Sequence, residues 1–187
     1  MILIDGRSAG GKTTLAESLA VLLSGTVVHT DDVAWHLHPT EWDDELVRGV
    51  IAPWRAGKCV RFRPPGWIAK GRPGAVEVPA SAGVLIVEGV GAGRESLTEQ
   101  ADLLIWVQSD RDEARRRGIA RDIELGREPA EAEQFWDEWT LSEEPFLAAE
   151  RPWTRAHLIV NGTATGDGHQ IATGPLRALT QGPSVSQ

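Results

Sequence analysis

The sequence predicts an α/β fold, a three-layer sandwich in which a five-stranded parallel sheet carries helices on both faces. Three observations point to it. Five short apolar runs, residues 1–4, 26–30, 84–87, 103–107 and 158–160, are continuous rather than alternating, as strands buried on both faces require. Helical periodicity occupies intervals between them. Three runs end in a polar pair, Asp5-Gly6, Asp31-Asp32 and Glu88-Gly89, so carboxylates gather at the carboxyl edge of the sheet, where ligands bind in such folds.

The elements come in order. Residues 1–4 form a buried strand that enters a turn at Asp5-Gly6. Leu15, Leu19, Leu22 and Leu23 recur at helical spacing within residues 13–24, and Gly25 stops that helix. The β-branched stretch 26–30 is the second strand. Trp42, Leu46, Val50 and Trp54 repeat every four residues, one face of an amphipathic helix with Pro53 near its end. Residues 59–79 are rich in Pro and Gly, with strand-like pieces at 59–62 and 75–78. After the strands at 84–87 and 103–107, residues 110–125 form a charged helix, and 130–150 form a second helical stretch disturbed at Pro145. Residues 158–160 are the last strand; a short helix is expected over 171–179 and a loose tail over 180–187.

Composition sets the bounds. At 187 residues the chain fits a single domain, 1–187, with 41% apolar and 25% charged residues. A net charge of -8 argues against broad binding to nucleic acid or an anionic membrane, so any phosphate site must be a local cluster of positive groups. No apolar run reaches the roughly 20 residues that cross a bilayer, and Asp5 and Arg7 interrupt the apolar start, so a soluble, cytoplasmic protein is expected. The lone Cys59, in a short apolar run, reads as a small buried residue, and one cysteine makes neither a disulfide nor a Cys-based zinc site. His29, His36 and His38 have no metal spacing with a fourth partner. Self-association into a homo-oligomer is left open.

Gly6-Arg7-Ser8-Ala9-Gly10-Gly11-Lys12-Thr13 fits G-x-x-x-x-G-K-[ST] at every fixed position. A polyphosphate is held by a ring of backbone N–H groups, and glycines let the backbone close around it. The helix starting near Lys12 adds its positive end. Lys12 is expected to reach the β- and γ-phosphates of ATP, and the Thr13 hydroxyl to ligate Mg2+. Ser8, Ala9, Gly10 and Gly11 supply the amides, while Thr14 at the end of this stretch reads as ordinary helix rather than a second metal ligand. A chance glycine-rich turn is the rival reading, and the placement between strand and helix speaks against it. The predicted fold is thereby a P-loop NTPase sandwich.

A kinase must orient an acceptor hydroxyl and receive its proton, and a carboxylate serves both needs. Asp31 and Asp32 compete for that role, the other capping the next helix or turn or touching substrate. Glu88, at its strand end, can hold Mg2+ or its water shell, unless it is a salt bridge or cap; Asp5 reads as a structural acceptor. Arg111, Arg115, Arg116, Arg117, Arg121 and Arg127 crowd one acidic stretch, and Arg117 and Arg121 share a helical face. These suggest an arginine lid, about 111–128, in which Arg117 and Arg121 neutralise the transferring phosphate and Arg127 contacts nucleotide, while the others pair with neighbouring acids. Residues 33–80 form an acceptor-side insertion. There Trp35 and Trp67 could wall an apolar or planar substrate, and Arg61 and Arg63, alternating with Phe62, could face the cleft; core packing and a solvated strand face are the plain alternatives. Trp42 and Trp54 read as core, and Trp136 and Trp139 as packing of the last long helix.

The chain resembles the uridine kinase-like branch of the P-loop kinases over roughly residues 1–162. The likeness rests on the phosphate loop through Thr14-Leu15-Ala16, on His29-Thr30-Asp31-Asp32, on Val87-Glu88-Gly89, on residues 116–123 followed by Gly126-Arg127, and on residues 156–162. It implies kinase chemistry with ATP and Mg2+, Asp31 as base and a small hydroxylated acceptor. Where that branch carries a Tyr-Asp pair that helps to hold the ribose, this chain reads Arg63-Pro64-Pro65-Gly66-Trp67, and its acidic residue before the last strand is His157 here. The acceptor is therefore open between a nucleoside-like natural product and another small alcohol. The rival function is a nucleotide-dependent switch or accessory ATPase, for which the Asn-Lys-x-Asp and Asp-x-x-Gly elements of a GTPase are missing.

Overall fold

The computed structural model describes residues 1–37, 41–163 and 171–173, the last three by their backbone. The five expected strands are present: β1 (Ile2–Gly6), β2 (Thr26–His29), β5 (Leu85–Glu88), β6 (Leu103–Gln108) and β7 (Leu158–Asn161). They pair in parallel in the order β2-β5-β1-β6-β7. A sixth strand, β8 (Ile171–Thr173), pairs antiparallel with β7, so the helix expected over 171–179 is corrected at its first three residues. Pairing there covers the open N–H and C=O row of an edge strand. Residues 174–179, the tail 180–187 and His38 lie outside the described residues.

Successive side chains along the strands divide between two cores. Leu3, Leu85, Val87, Leu104 and Trp106 face one side with Leu46, Val50, Ile51, Leu97 and Leu147, while Ile4, Ile86, Ile105, Val107 and Val160 face the other with Leu15 and Ala16. This is why the strands read as unbroken apolar runs: both faces are covered, and each fully buried side chain contributes about 1.5–3 kcal/mol. Helix α1 (Lys12–Leu23) covers the second face. Its leucine stripe is shorter than expected, because Leu15 is buried while Leu22 and Leu23 are exposed.

After β2 come the short helices α2 (Thr30–Ala34), α3 (Asp43–Leu46) and α4 (Ala52–Arg55), the last two joined by a π-helical turn, Val47–Ile51. The wide turn suits the sequence. A strict four-residue repeat drifts about 40° per step on an α-helix, and a π turn restores the register. Trp42, Leu46 and Val50 are accordingly buried together, and Trp54 donates its indole N–H to the Ala82 carbonyl at 2.7 Å. Pro53, which lacks an N–H to bond back, lies just past the turn.

Strands β3 (Val60–Phe62) and β4 (Val76–Val78) form a separate antiparallel ribbon, with helix α5 (Pro65–Ala69) between them. Trp67 thus lies in a helix, not in an irregular segment. Cys59 is exposed at the foot of the ribbon, contrary to the buried position expected of it, because its short apolar run continues into a two-stranded element that covers one face only. Helix α6 (Glu95–Thr98) precedes β6, and α7 (Arg111–Glu124) and α8 (Pro129–Glu150) come after it. Asp110 caps α7 by accepting from the Glu113 N–H at 2.9 Å. Helix α8 runs unbroken through Pro145, where disturbance was expected. No helix among the described residues is long and apolar enough to cross a membrane.

Candidate active site

The glycine-rich stretch leaves β1 at the centre of the sheet and turns into α1. Ala9 at φ 54° and Gly11 at φ 95° place the backbone in the left-handed region, which coils successive amides around one point. Ala9 accepts strain for this geometry, a common feature of ligand-gripping loops. No acidic residue occupies the first turn of α1, so nothing there competes with an anion for the helix end. Lys12 is buried and donates to the Arg7 carbonyl at 2.8 Å.

Asp5 lies under the loop, fully buried, and accepts from the Gly6, Gly91 and Gly93 amides at 2.7, 3.1 and 2.9 Å. It is the structural acceptor expected. Burial pushes its pKa up to about 6, against the pull of these amides and Lys12.

A cavity of about 730 Å3 opens above the loop, within the range of small-molecule sites. Ser8, Ala9, Gly10, Gly11, Lys12, Thr13 and Thr14 line its floor, and Gly6 lies beneath it with its amide on Asp5. Asp31 and Glu88 also line it. The Thr13 hydroxyl donates to Glu88 Oε1 at 3.2 Å, and His29 Nδ1 meets the same oxygen at 2.5 Å. That hydrogen bond holds the His29 imidazole above its ordinary pKa, despite partial burial. The sequence pattern gave no sign of this contact, although His29 stands two residues before Asp31.

The two adjacent aspartates part company. Desolvation within the cavity raises the pKa of Asp31, which is otherwise open to solvent, while Lys12, Arg121 and His29 lower it and Glu88 raises it further. No hydrogen bond or ion pair occupies its carboxylate among the described residues. Asp32 does not line the cavity: Arg72 pairs with its Oδ1 at 2.8 Å, and its carbonyl accepts from the Trp67 indole at 2.7 Å. Successive side chains of the short helix α2 diverge by about 100°, so one of the pair must turn away.

Of the arginines, only Arg117 and Arg121 face the cavity among the described residues. Arg117 donates to the Gly162 carbonyl at 2.7 Å and to Glu113 at 2.7 Å. Arg121 is half exposed and pairs with Asp122 at 2.9 Å, a surface pair worth about 1 kcal/mol or less and easily redirected. Arg127 is not in the cavity. Its guanidinium stacks on Phe135 at 4.0 Å, and Asp122 lies 3.7 Å away.

Three of the expected substrate contacts are also elsewhere. Arg61 is on the exposed face of the ribbon, 3.6 Å from Glu77, and Arg63 donates to the Arg72 carbonyl at 2.8 Å. Trp67 is a core residue, 5% exposed, with Arg72 stacked on its ring at 3.6 Å. Trp35 does line the cavity. So do Phe135, Trp136 and Trp139 of α8, although helical spacing alone assigns both tryptophans to packing.

Helix α8 is bolted to the loop. Trp139 Nε1 donates to Ser8 Oγ at 2.7 Å, the Ser8 amide donates to the buried Glu143 at 2.8 Å, and Arg7 pairs with Glu144 at 2.5 Å. Helix α7 packs against α8 through Gly118, where a Cβ would come within 1.8 Å of the Trp136 ring. Gly118→Ala should therefore push the Trp136 ring out of place and destabilise the fold by about 1–3 kcal/mol. Thermal unfolding would fall by about 2–4 °C per kcal/mol, and an unchanged midpoint would disprove the close fit.

No protein-family model matches the sequence, and no curated protein matches it. Solved structures do. A candidate fructose transport system kinase from Silicibacter sp. TM1040 matches with a TM-score of 0.55 at 21% identity, over 80% of this chain and 84% of that one. A candidate uridine kinase from Bacillus stearothermophilus matches at 0.48 and 20% over 84% and 86%, and a shikimate kinase from Bacteroides thetaiotaomicron at 0.41 and 19% over 86% and 85%. At such identities a likeness speaks for the fold. The chain shares its α/β fold with the first of these, matched at a TM-score of 0.55.

Proposed function

We propose that the chain is an ATP-dependent phosphotransferase that moves the γ-phosphate to a hydroxyl of a small molecule, nucleoside-like or a natural product. The observation that supports it is the convergence of the loop amides, Lys12, Thr13, Glu88 and Asp31 on one cavity. The amides of residues 8–13 and the amino end of α1 hold the β- and γ-phosphates, and Lys12 turns from the Arg7 carbonyl to meet them. Arg117 and Arg121, from a lid about 111–128, neutralise charge on the transferred group. Residues 33–80 supply the acceptor side. Asp31 orients the acceptor hydroxyl and takes its proton as the new O–P bond forms; the bond from the γ-phosphorus to the bridging oxygen breaks, and ADP leaves.

The donor set fits Mg2+: the Thr13 hydroxyl and a Glu88 oxygen are hard ligands, 3.2 Å apart. Among the described residues no cluster of three or more His, Cys, Asp or Glu could hold a metal. That matches an ion that takes its remaining ligands from phosphate and water. Bound there, Mg2+ would neutralise phosphate charge; His29 keeps Glu88 oriented toward Thr13.

Phosphate transfer from γ-labelled ATP onto a library of hydroxylated metabolites tests the reading. Transfer to a small alcohol is expected, and Glu88→Gln should raise the Mg2+ needed for half-maximal nucleotide binding by about tenfold or more. ATP turnover stimulated by a partner protein and by no small molecule would replace it with an accessory ATPase.

A further inference from the structure

Resting on that phosphotransferase reading, we propose that the acceptor is an uncharged, flat, largely apolar alcohol, held by stacking against Trp35 rather than by ionic contacts or base-edge hydrogen bonds. Beyond Asp31 the cavity wall is built from Ala34, Trp35, Leu37, Trp42 and Val90, with Trp139 closing from α8. Among the described residues, the three cations that reach the cavity are those the phosphotransferase reading assigns to phosphate. Lys12 is in the loop, Arg117 is anchored on the Gly162 carbonyl against Gly10, and Arg121 is close enough to Asp31 to lower its pKa. The cations that could have received an anionic acceptor are withdrawn: Arg61 pairs with Glu77, Arg63 with the Arg72 carbonyl, and Arg72 with Asp32.

Among the described residues, an acceptor carboxylate or phosphate would therefore lie beside Asp31 and Glu88 with no cation assigned to it alone. Hydrogen-bond reading is also scarce. The Trp139 indole N–H is engaged by Ser8 and Glu143 and the Thr30 hydroxyl faces the Val90 carbonyl at 3.5 Å, so among the described residues His36 is the main polar side chain left on that wall.

Trp35 is held in place from outside the cavity. The Arg72 guanidinium is 5.1 Å from its ring centroid while stacked on Trp67 at 3.6 Å and tied to Asp32 at 2.8 Å. The Trp35 carbonyl sits where a Cβ on Gly66 would come within 1.9 Å, so α5 also closes on its backbone. Asp32 thus serves the acceptor wall indirectly, as a positioning residue, while its neighbour Asp31 faces the chemistry. A fixed aromatic face selects for planarity and apolar area at little entropic cost.

The test is a direct comparison of acceptors. Transfer from γ-labelled ATP is measured onto tryptophol and 2-(2-naphthyl)ethanol, set against indole-3-lactate and uridine, after Mg-ATP binding has been verified by calorimetry. The expected result is a kcat/KM at least about tenfold higher for the neutral aryl alcohols. Trp35→Ala should raise their KM by about tenfold with kcat and the ATP KM nearly unchanged, and Trp35→Phe should restore most of the loss. Preference for the carboxylate or for uridine, an unchanged KM in Trp35→Ala, or no transfer to either aryl alcohol by a protein that binds Mg-ATP would overturn the acceptor class alone. Failure to bind Mg-ATP would overturn the phosphotransferase reading beneath it.

Discussion

Replacing Asp31 with Asn should lower turnover by about 10²–10⁴-fold, the usual contribution of a positioned base, while Mg-ATP affinity stays within about twofold of the parent. The asymmetry comes from geometry. Asp31 lines the cavity with no hydrogen bond or ion pair on its carboxylate among the described residues, so its loss should cost the fold little and leave the proposed phosphate-binding amides in place. Its neighbour offers an internal control for kcat, because Asp32→Asn removes the charge that pairs with Arg72 behind Trp35, which bears on acceptor KM, and leaves the proposed base in place. The pH profile carries a second signature. A base works only when deprotonated, so kcat/KM falls as pH drops through the Asp31 pKa. Desolvation within the cavity raises that pKa although Asp31 stays open to solvent, and the acid limb should stand above the ordinary aspartate value and vanish in Asp31→Asn. Steady-state rates across pH, with calorimetric nucleotide binding alongside, decide the matter; equal turnover in the variant would remove Asp31 from the chemistry.

The largest effect on stability is expected from Asp5→Ala. It would strand the Gly6, Gly91 and Gly93 amides, three buried donors that now share one carboxylate. An unsatisfied buried donor costs about 1–3 kcal/mol, so a loss of about 3–6 kcal/mol is expected, a large part of a typical domain's 5–15. The midpoint should drop by about 6–24 °C, at about 2–4 °C per kcal/mol. Asp5→Asn keeps the shape and one acceptor oxygen but turns an N–H toward a donor, so its loss should be intermediate. Circular dichroism melts of the two variants test this, and a midpoint within about 3 °C of the parent for Asp5→Ala would refute it.

Which features could be read in advance depended on whether local pattern determined them. The strands were legible because Leu3 and Ile4, or Leu104 and Ile105, face opposite cores and both must be apolar. Strand β8 was not, since it depends on the free edge of β7 rather than on its own residues. In the site, the loop and Glu88 are set by motif and strand end. Arg61 lies on the exposed face of β3, but the strand ends at Phe62 and Arg63 falls beyond it, so alternation over so short a run did not place the two arginines together at the cleft. Trp67 and Arg127 were misread because their partners, Arg72 in the one case and Phe135 in the other, come from turns and helices whose approach no periodicity encodes. Trp136 and Trp139 were assigned to packing, and they do pack; what helical spacing could not show is that the surface they pack against includes the loop itself.

Three separate ties join residues 7 and 8 to a helix some 130 positions later, one of them spanning 135 residues. The mouth of the cradle and the rod above it are therefore one mechanical piece. A shift of the loop at Ser8 would be passed along these hydrogen bonds to Trp139 and Glu143, and a motion that lifts that rod would pull on the loop below.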